Sequence, residues 1–106
     1  MVRVLINVPK TVRRDEPFEV RLLISHPMES GQRRDTLGLA IPREIIDRLD
    51  CTLDGEAVIR MSLFPAISAN PYLSFSAVAQ RSGTMTITFS GDRGLTQVES
   101  VPITVV

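Results

Sequence analysis

The sequence Thr84-Met85-Thr86-Ile87-Thr88-Phe89-Ser90 alternates apolar with hydroxyl side chains along its whole length. Successive side chains of a β-strand point to opposite faces, so this alternation predicts a strand with one buried face. The same period of two recurs in four other runs. Their predicted inward residues are Val2, Val4, Ile6 and Val8; Phe18, Val20, Leu22 and Ile24; Leu73, Phe75 and Ala77; and Val101, Ile103 and Val105.

Turn signals separate these runs. Asp54-Gly55 lies between the apolar runs 49–53 and 57–61, and this pair tolerates the positive φ angles of a type I′ hairpin turn. Segments 81–83 and 91–94 predict two further reversals. Pro102 falls inside the last run, where its missing N–H predicts an edge strand or a bulge.

One segment is compatible with two structures. Ile41, Ile45, Ile46 and Leu49 are spaced for a short helical face that starts at Pro42, or for a strand that starts near Ile46. With the strand, the chain has about seven short strands. That count predicts an all-β fold, an immunoglobulin-like antiparallel β-sandwich in a single domain, 1–106. The Cys and Trp pattern of antibody domains is absent, so the expected likeness is one of architecture.

The composition excludes several classes of function. The 106 residues carry a net charge of zero, with one His, one Cys and no Trp. A single Cys forms no internal disulfide, and one His with one Cys is too few ligands for a zinc cluster, a blue-copper site or a multi-His iron site. We therefore expect no cofactor. The neutral charge gives no field for nucleic acid or an anionic membrane, and no segment is long enough and apolar enough to span a bilayer.

We assign structural roles to the two side chains that could be reactive, His26 and Cys51. His26 precedes Pro27 and should be extended at a strand end, where Ser25 points to the opposite face, so the two do not form a catalytic pair. We expect His26 to be hydrogen-bonded at this junction. Cys51 alternates with Leu49 and Leu53, so we expect a buried thiol of raised pKa that is chemically inert.

Two connections are too long for hairpin turns, from about His26 to Pro42 and from Phe64 to Tyr72. Loops of this length often carry function. The charge is also uneven: residues 1–34 hold seven bases and four acids, whereas residues 35–56 hold six acids and two bases. Arg33 and Arg34 could attract an acidic partner, or they are simply solvated loop charges.

These two loops carry a resemblance to a known family. The first string runs from Leu23 to Arg33 and reads LISHPMESGQR; the second, from Ala66 to Tyr72, reads AISANPY and is followed by Phe75. Both resemble the SoxZ family, the Z subunits of the Sox sulfur-oxidation carrier complex. Further matches are Ile41-Pro42-Arg43, Ile45-Ile46, Cys51, Asp54-Gly55 and Ser82-Gly83, in order along nearly the whole chain.

The resemblance implies a non-enzymatic role in sulfur and thiosulfate oxidation. SoxZ pairs as a heterodimer with SoxY, whose C-terminal cysteine arm carries the sulfur intermediates between Sox enzymes that dock transiently. The present chain ends at Val106 without such an arm, so we expect the carrier cysteine on the partner. We expect partner contacts from the two loops, with Met28 and Tyr72 as anchors. The residues concerned are His26, Pro27, Met28, Glu29, Ser30, Gly31, Gln32, Arg33, Ser68, Ala69, Asn70, Pro71 and Tyr72.

The resemblance also implies a periplasmic location. Residues 1–16 do not read as a secretory signal, so we expect co-export with the partner on the partner's own signal. The alternatives are a generic immunoglobulin-like binding module unrelated to sulfur chemistry, and a small metalloenzyme or electron carrier, which the single His disfavours.

Overall fold

Two β-sheets make up the protein in a computed structural model, which describes residues 3–64, 67 and 69–106. A three-stranded sheet has the order β1-β3-β6 and a five-stranded sheet the order β2-β8-β7-β4-β5. The strands are β1 (Arg3–Asn7), β2 (Thr11–Val12), β3 (Phe18–Ser25), β4 (Ile46–Leu53), β5 (Glu56–Ser62), β6 (Tyr72–Ala77), β7 (Gly83–Gly91) and β8 (Thr96–Val105). A 3₁₀ turn (Asp92–Gly94) joins β7 to β8.

The core forms where the alternating strands of the two sheets face each other. Met85, Ile87 and Phe89 of β7 are fully buried, and β7 lies between β8 and β4. The inward residues of β3 belong to the same hydrophobic cluster. The predicted immunoglobulin-like β-sandwich is therefore confirmed. No helix among the described residues is long and apolar enough to cross a membrane.

A short extra strand raises the strand count above the predicted seven. After Pro9 the chain leaves the three-stranded sheet, and β2 joins the other sheet in parallel with β8, pairing Thr11 with Thr104 and Val12 with Val105. Two residues are too few for a period to be visible in the sequence. Because β2 begins opposite Thr104, Pro102 pairs among the described residues only with Thr84 of β7. This part of β8 is therefore an edge, which is one of the two alternatives predicted from Pro102.

The helical alternative near Pro42 is wrong, and a β-bulge explains the misleading spacing. The strand β4 begins at Ile46, as the other alternative predicts. Its register against β7 shifts between Ile46 and Arg48, so that Ile46 and Leu49 both point into the core. A bulge inserts one residue and turns the spacing of two into a spacing of three.

The predicted hairpin at Asp54-Gly55 is confirmed. Both residues have positive φ, 51° and 85°, as a type I′ turn requires. The Asp54 carboxylate also accepts a hydrogen bond from the Thr84 amide at 2.9 Å. The hairpin β4–β5 is thereby fixed to the start of β7.

Candidate functional site

The two long loops meet at one end of the sandwich through a reciprocal pair of hydrogen bonds. The His26 amide donates to Asn70 Oδ1 at 3.1 Å, and the Asn70 amide donates to the His26 carbonyl at 2.7 Å. Asn70 has a positive φ of 53°, which Asn tolerates better than most residues. The two loops are thus held as one unit, although His26 and Asn70 are 44 positions apart.

His26 uses its ring to shape the first loop. Its Nδ1 accepts a hydrogen bond from the Met28 amide at 3.0 Å, so the neutral ring carries its proton on Nε2. The side chain is buried, and burial lowers the pKa of the imidazole, while the carboxylates of Glu44 and Asp92 act in the opposite direction. The expectation of a hydrogen-bonded histidine at the strand–loop junction is confirmed.

Met28 lies inside the core. Its side chain is 5% exposed, and its sulfur accepts a hydrogen bond from the Ile46 amide at 3.3 Å. The side chain therefore supports the loop from within, and an anchor role on a partner would require it to leave the core. Tyr72, in contrast, is 60% exposed at the start of the edge strand β6.

Beyond Met28 the first loop forms a projecting hairpin, which we call the arm (29–44). At its base Glu29 and Glu44 exchange backbone hydrogen bonds of 2.7 and 2.8 Å. Farther out the Ile41 amide donates to the Arg33 carbonyl at 2.9 Å, next to a bridge between Arg34 and Ala40. The arm is thus an ordered structure and not an open loop.

Two ion pairs brace the base of the arm. The Arg33 guanidinium donates to the Glu29 carboxylate at 2.5 Å, and Arg43 donates to both oxygens of Asp92 at 2.7 and 2.9 Å. Asp92 Oδ2 also accepts from the Ile45 amide at 3.1 Å. The side-chain hydrogen bonds from Arg33 and Arg43 lower the pKa of Glu29 and of Asp92 respectively.

The outer face of the three-stranded sheet carries a line of apolar side chains, which we call the apolar row. Leu5 pairs with Leu23, and Leu23 pairs with Tyr72, so the three lie side by side across β1, β3 and β6. Their exposed fractions are 61%, 37% and 60%. Asn7, Arg21 and Ser74 form the next exposed row across the same strands. An apolar centre with a polar rim is the composition of a protein interface.

The residues predicted to contact a partner therefore fall into different environments. Six of them are buried or half-buried: His26, Met28, Glu29, Ser30, Gly31 and Pro71. Six are exposed: Pro27, Gln32, Arg33, Ala69, Asn70 and Tyr72. Ser68 lies outside the described residues. The role of this set in partner contacts stays a prediction, and the structure adds Leu5 and Leu23, whose position beside Tyr72 depends on strand register.

Cys51 has the environment that the sequence predicts. It is fully buried and unpaired in a disulfide, and burial raises the pKa of its thiol to about 11. Within the described part of the chain, no group of three or more His, Cys, Asp and Glu side chains could hold a metal ion.

We expect low pH to reduce the stability of the protein through His26, which holds the two loops together. In the unfolded chain the imidazole takes up a proton as the pH falls through about 6.5. In the folded chain burial lowers the pKa of the ring, and Nδ1 is engaged as acceptor of the Met28 amide. The unfolded state therefore binds more protons below pH 6.5, and stability falls. We expect a constant free energy of unfolding between pH 7 and 8 and a decline from pH 6.5 to 5, measured by urea denaturation.

The control is His26→Asn. The side-chain oxygen of Asn can accept a hydrogen bond from the backbone amide two residues later, as Nδ1 of the histidine does. This variant should be about 1–3 kcal/mol less stable, since the rest of the ring is lost. Its stability should be flat from pH 8 to 5.5. An unchanged decline in this variant would assign the acid sensitivity to another group.

The fold and its loop site define a small immunoglobulin-like β-sandwich with buried His and Cys side chains. Residues 6–102 match the model of the family described as sulphur oxidation protein SoxZ. The chain belongs to the SoxZ family, and the resemblance seen in the two loop strings is confirmed. No curated protein sequence matches the chain.

Several solved structures share the fold at low sequence identity. A superoxide reductase (neelaredoxin) from Ignicoccus hospitalis is 20% identical with a TM-score of 0.69, covering 97% of this chain and 80% of that one. A putative superoxide reductase from Thermotoga maritima is 18% identical with a TM-score of 0.72, covering 97% and 85%. The sulfur carrier protein SoxY from Chlorobium limicola f thiosulfatophilum is 11% identical with a TM-score of 0.67, covering 97% and 78%. These likenesses concern the architecture alone.

Proposed function

We propose that this chain is the non-catalytic subunit of a SoxYZ-type sulfur carrier complex. Its membership of the SoxZ family over residues 6–102 carries this proposal and places the chain in the Sox sulfur-oxidation system. The chain binds a SoxY-type subunit as a heterodimer. The C-terminal cysteine of that partner carries thiosulfate-derived sulfur between Sox enzymes that dock transiently.

The reactive groups of the chain support a scaffold role. The Cys51 thiol is buried and of raised pKa, so it supplies no thiolate for a sulfur adduct at neutral pH. The His26 ring uses Nδ1 for the Met28 amide and is itself buried. Neither group is poised as a nucleophile or as a general base for an external substrate.

The partner surface that we propose joins the apolar row to the exposed parts of the two predicted loops. Tyr72 is its anchor, because it is exposed, aromatic and placed on β6, an outer strand of the three-stranded sheet among the described residues. Residues 26–33 and 69–71 border it, since β3 ends at Ser25 and β6 begins at Tyr72. A permanent partner here would cover apolar surface and a strand edge together.

Intact mass of the purified pair tests this division of roles. The chain should co-purify one to one with a SoxY-type subunit. After turnover with thiosulfate and the oxidising enzymes of the system, a sulfur adduct should appear on the partner and none on this chain. The matched control, Cys51→Ala, should leave the adduct on the partner unchanged.

Two outcomes contradict the proposal. An adduct on Cys51 would make this chain a carrier itself. Failure of the purified chain to bind the SoxY-type subunit at any concentration tested would favour the alternative of a generic immunoglobulin-like binding module.

We also propose that the chain works in the periplasm after export together with its partner. Cell fractionation tests this. The chain should be periplasmic when the SoxY-type subunit is co-expressed and should stay in the cytoplasm when it is expressed without that partner. Export of the chain expressed alone would contradict co-export.

A further inference from the structure

The tip of the arm presents two leucines to solvent. Leu37 is 82% exposed and Leu39 is 62% exposed. They lie on a β-turn, in which the Gly38 amide donates to the Asp35 carbonyl at 3.0 Å and the Asp35 amide pairs with the Leu39 carbonyl at 2.9 Å. Gly38 has a φ of 81°, the left-handed conformation that closes such a turn.

Asp35 makes the tip rigid. Its Oδ1 accepts hydrogen bonds from the amides of Leu37 and Leu39 at 2.9 and 3.0 Å. These hydrogen bonds fix the backbone that carries the two exposed leucines. A loop whose backbone is ordered before binding loses less conformational entropy on docking, which favours a convex apolar knob as a binding element.

The charge beside the leucines indicates what the knob binds. Arg33 is already paired with Glu29, whereas Arg34 donates only to the Gly38 carbonyl, at 2.9 Å, and has no carboxylate partner in the described part of the chain. A surface that receives the tip therefore offers an apolar pocket for two leucines and a carboxylate near the guanidinium. Two leucines on a narrow turn suit a pocket better than a flat face.

We propose that the arm tip is a docking knob that inserts into an apolar, acid-rimmed pocket of the SoxY-type subunit. This inference rests on the proposed function. It gives the SoxY-type subunit a second contact, in addition to the one with the apolar row. The knob supplies Leu37 and Leu39 as the buried centre and Arg34 as the charged border. Asp35 is a positioning residue, since it acts through the backbone of the two leucines.

The test is a calorimetric titration of the SoxY-type subunit with the full chain and its variants. Leu37→Ala combined with Leu39→Ala should weaken binding roughly 10- to 100-fold, because two apolar side chains at the centre of a contact are lost. Arg34→Glu should weaken it at low salt and less at high salt. Asp35→Ala should weaken it by less than the double variant, because it loosens the tip and leaves both leucines.

The matched control is Val98→Ala, which shortens an exposed apolar side chain of β8. It should leave the affinity unchanged, and thermal unfolding should show that the leucine variants fold as the natural chain does. If the natural chain binds and the double leucine variant binds equally tightly, the knob is excluded and the proposed function stands. If the natural chain itself does not bind, both fail.

Discussion

Replacing Met28 with alanine should lower the free energy of unfolding by about 2–5 kcal/mol, the range for truncating a buried methionine. The side chain is 5% exposed within the core cluster, and its sulfur accepts from the Ile46 amide. Stable domains have only about 5–15 kcal/mol in total. The variant should therefore show a large shift of its urea midpoint with an unchanged slope.

The affinity of the folded variant for the SoxY-type subunit should stay the same, because Met28 faces inward. Met28→Leu is the matched control: it keeps most of the volume and should cost less than about 1.5 kcal/mol. Tyr72→Ala should give the opposite pattern, with a small change in stability and a loss of affinity of about tenfold or more. If folded Met28→Ala lost affinity as strongly as Tyr72→Ala, Met28 would be a contact residue.

The sequence predicts the strands well because burial on one face imposes a period of two. The runs around Val20, Ile87 and Phe75 all became strands with the expected inward residues. The hairpin at Asp54-Gly55 was equally predictable, since its backbone angles are a local property of those residues. The bulge after Ile46 was not, because it is defined by the register against β7.

The candidate site was predictable only in part. The loop strings identify the segments, but the His26–Asn70 pair joins residues far apart in sequence, and no local pattern reveals such a contact. The apolar row was unpredictable for the same reason, because Leu5, Leu23 and Tyr72 become neighbours only through strand pairing.

The arm tip did have a local signal. Asp35 at the first position and Gly38 at the fourth are favoured in a type I turn. Within a long loop this signal predicts a turn, although the exposure of its leucines is a property of the folded chain.

Gly91→Ala should be the second strongly destabilising change, by about 3 kcal/mol, the upper part of the range for overpacking. Gly91 pairs with Ile46 where β7 meets the start of β4, just beyond the arm. A Cβ at this position would overlap the Ile45 carbonyl oxygen and lie 2.9 Å from the Ile46 Cα. Its φ of −170° is extended and open to any residue, so the cost is steric and the two strands must separate.

Separation of these strands should also disturb the base of the arm. The Asp92 amide donates to the Ile45 carbonyl at 3.0 Å, and Asp92 holds Arg43 of the arm. We therefore expect Gly91→Ala to weaken binding of the SoxY-type subunit even at temperatures where the variant is folded. Urea denaturation and calorimetric titration at 15 °C measure the two effects separately.

Gly83→Ala is the matched control at the other end of β7. There the added Cβ would meet the Asp54 carboxylate, the free end of a side chain that can rotate away. The rotation costs the hydrogen bond to the Thr84 amide, about 1 kcal/mol, and leaves the arm untouched. Equal losses of affinity in both glycine variants would mean that binding depends on overall stability; a loss confined to Gly91→Ala would tie it to the seating of the arm.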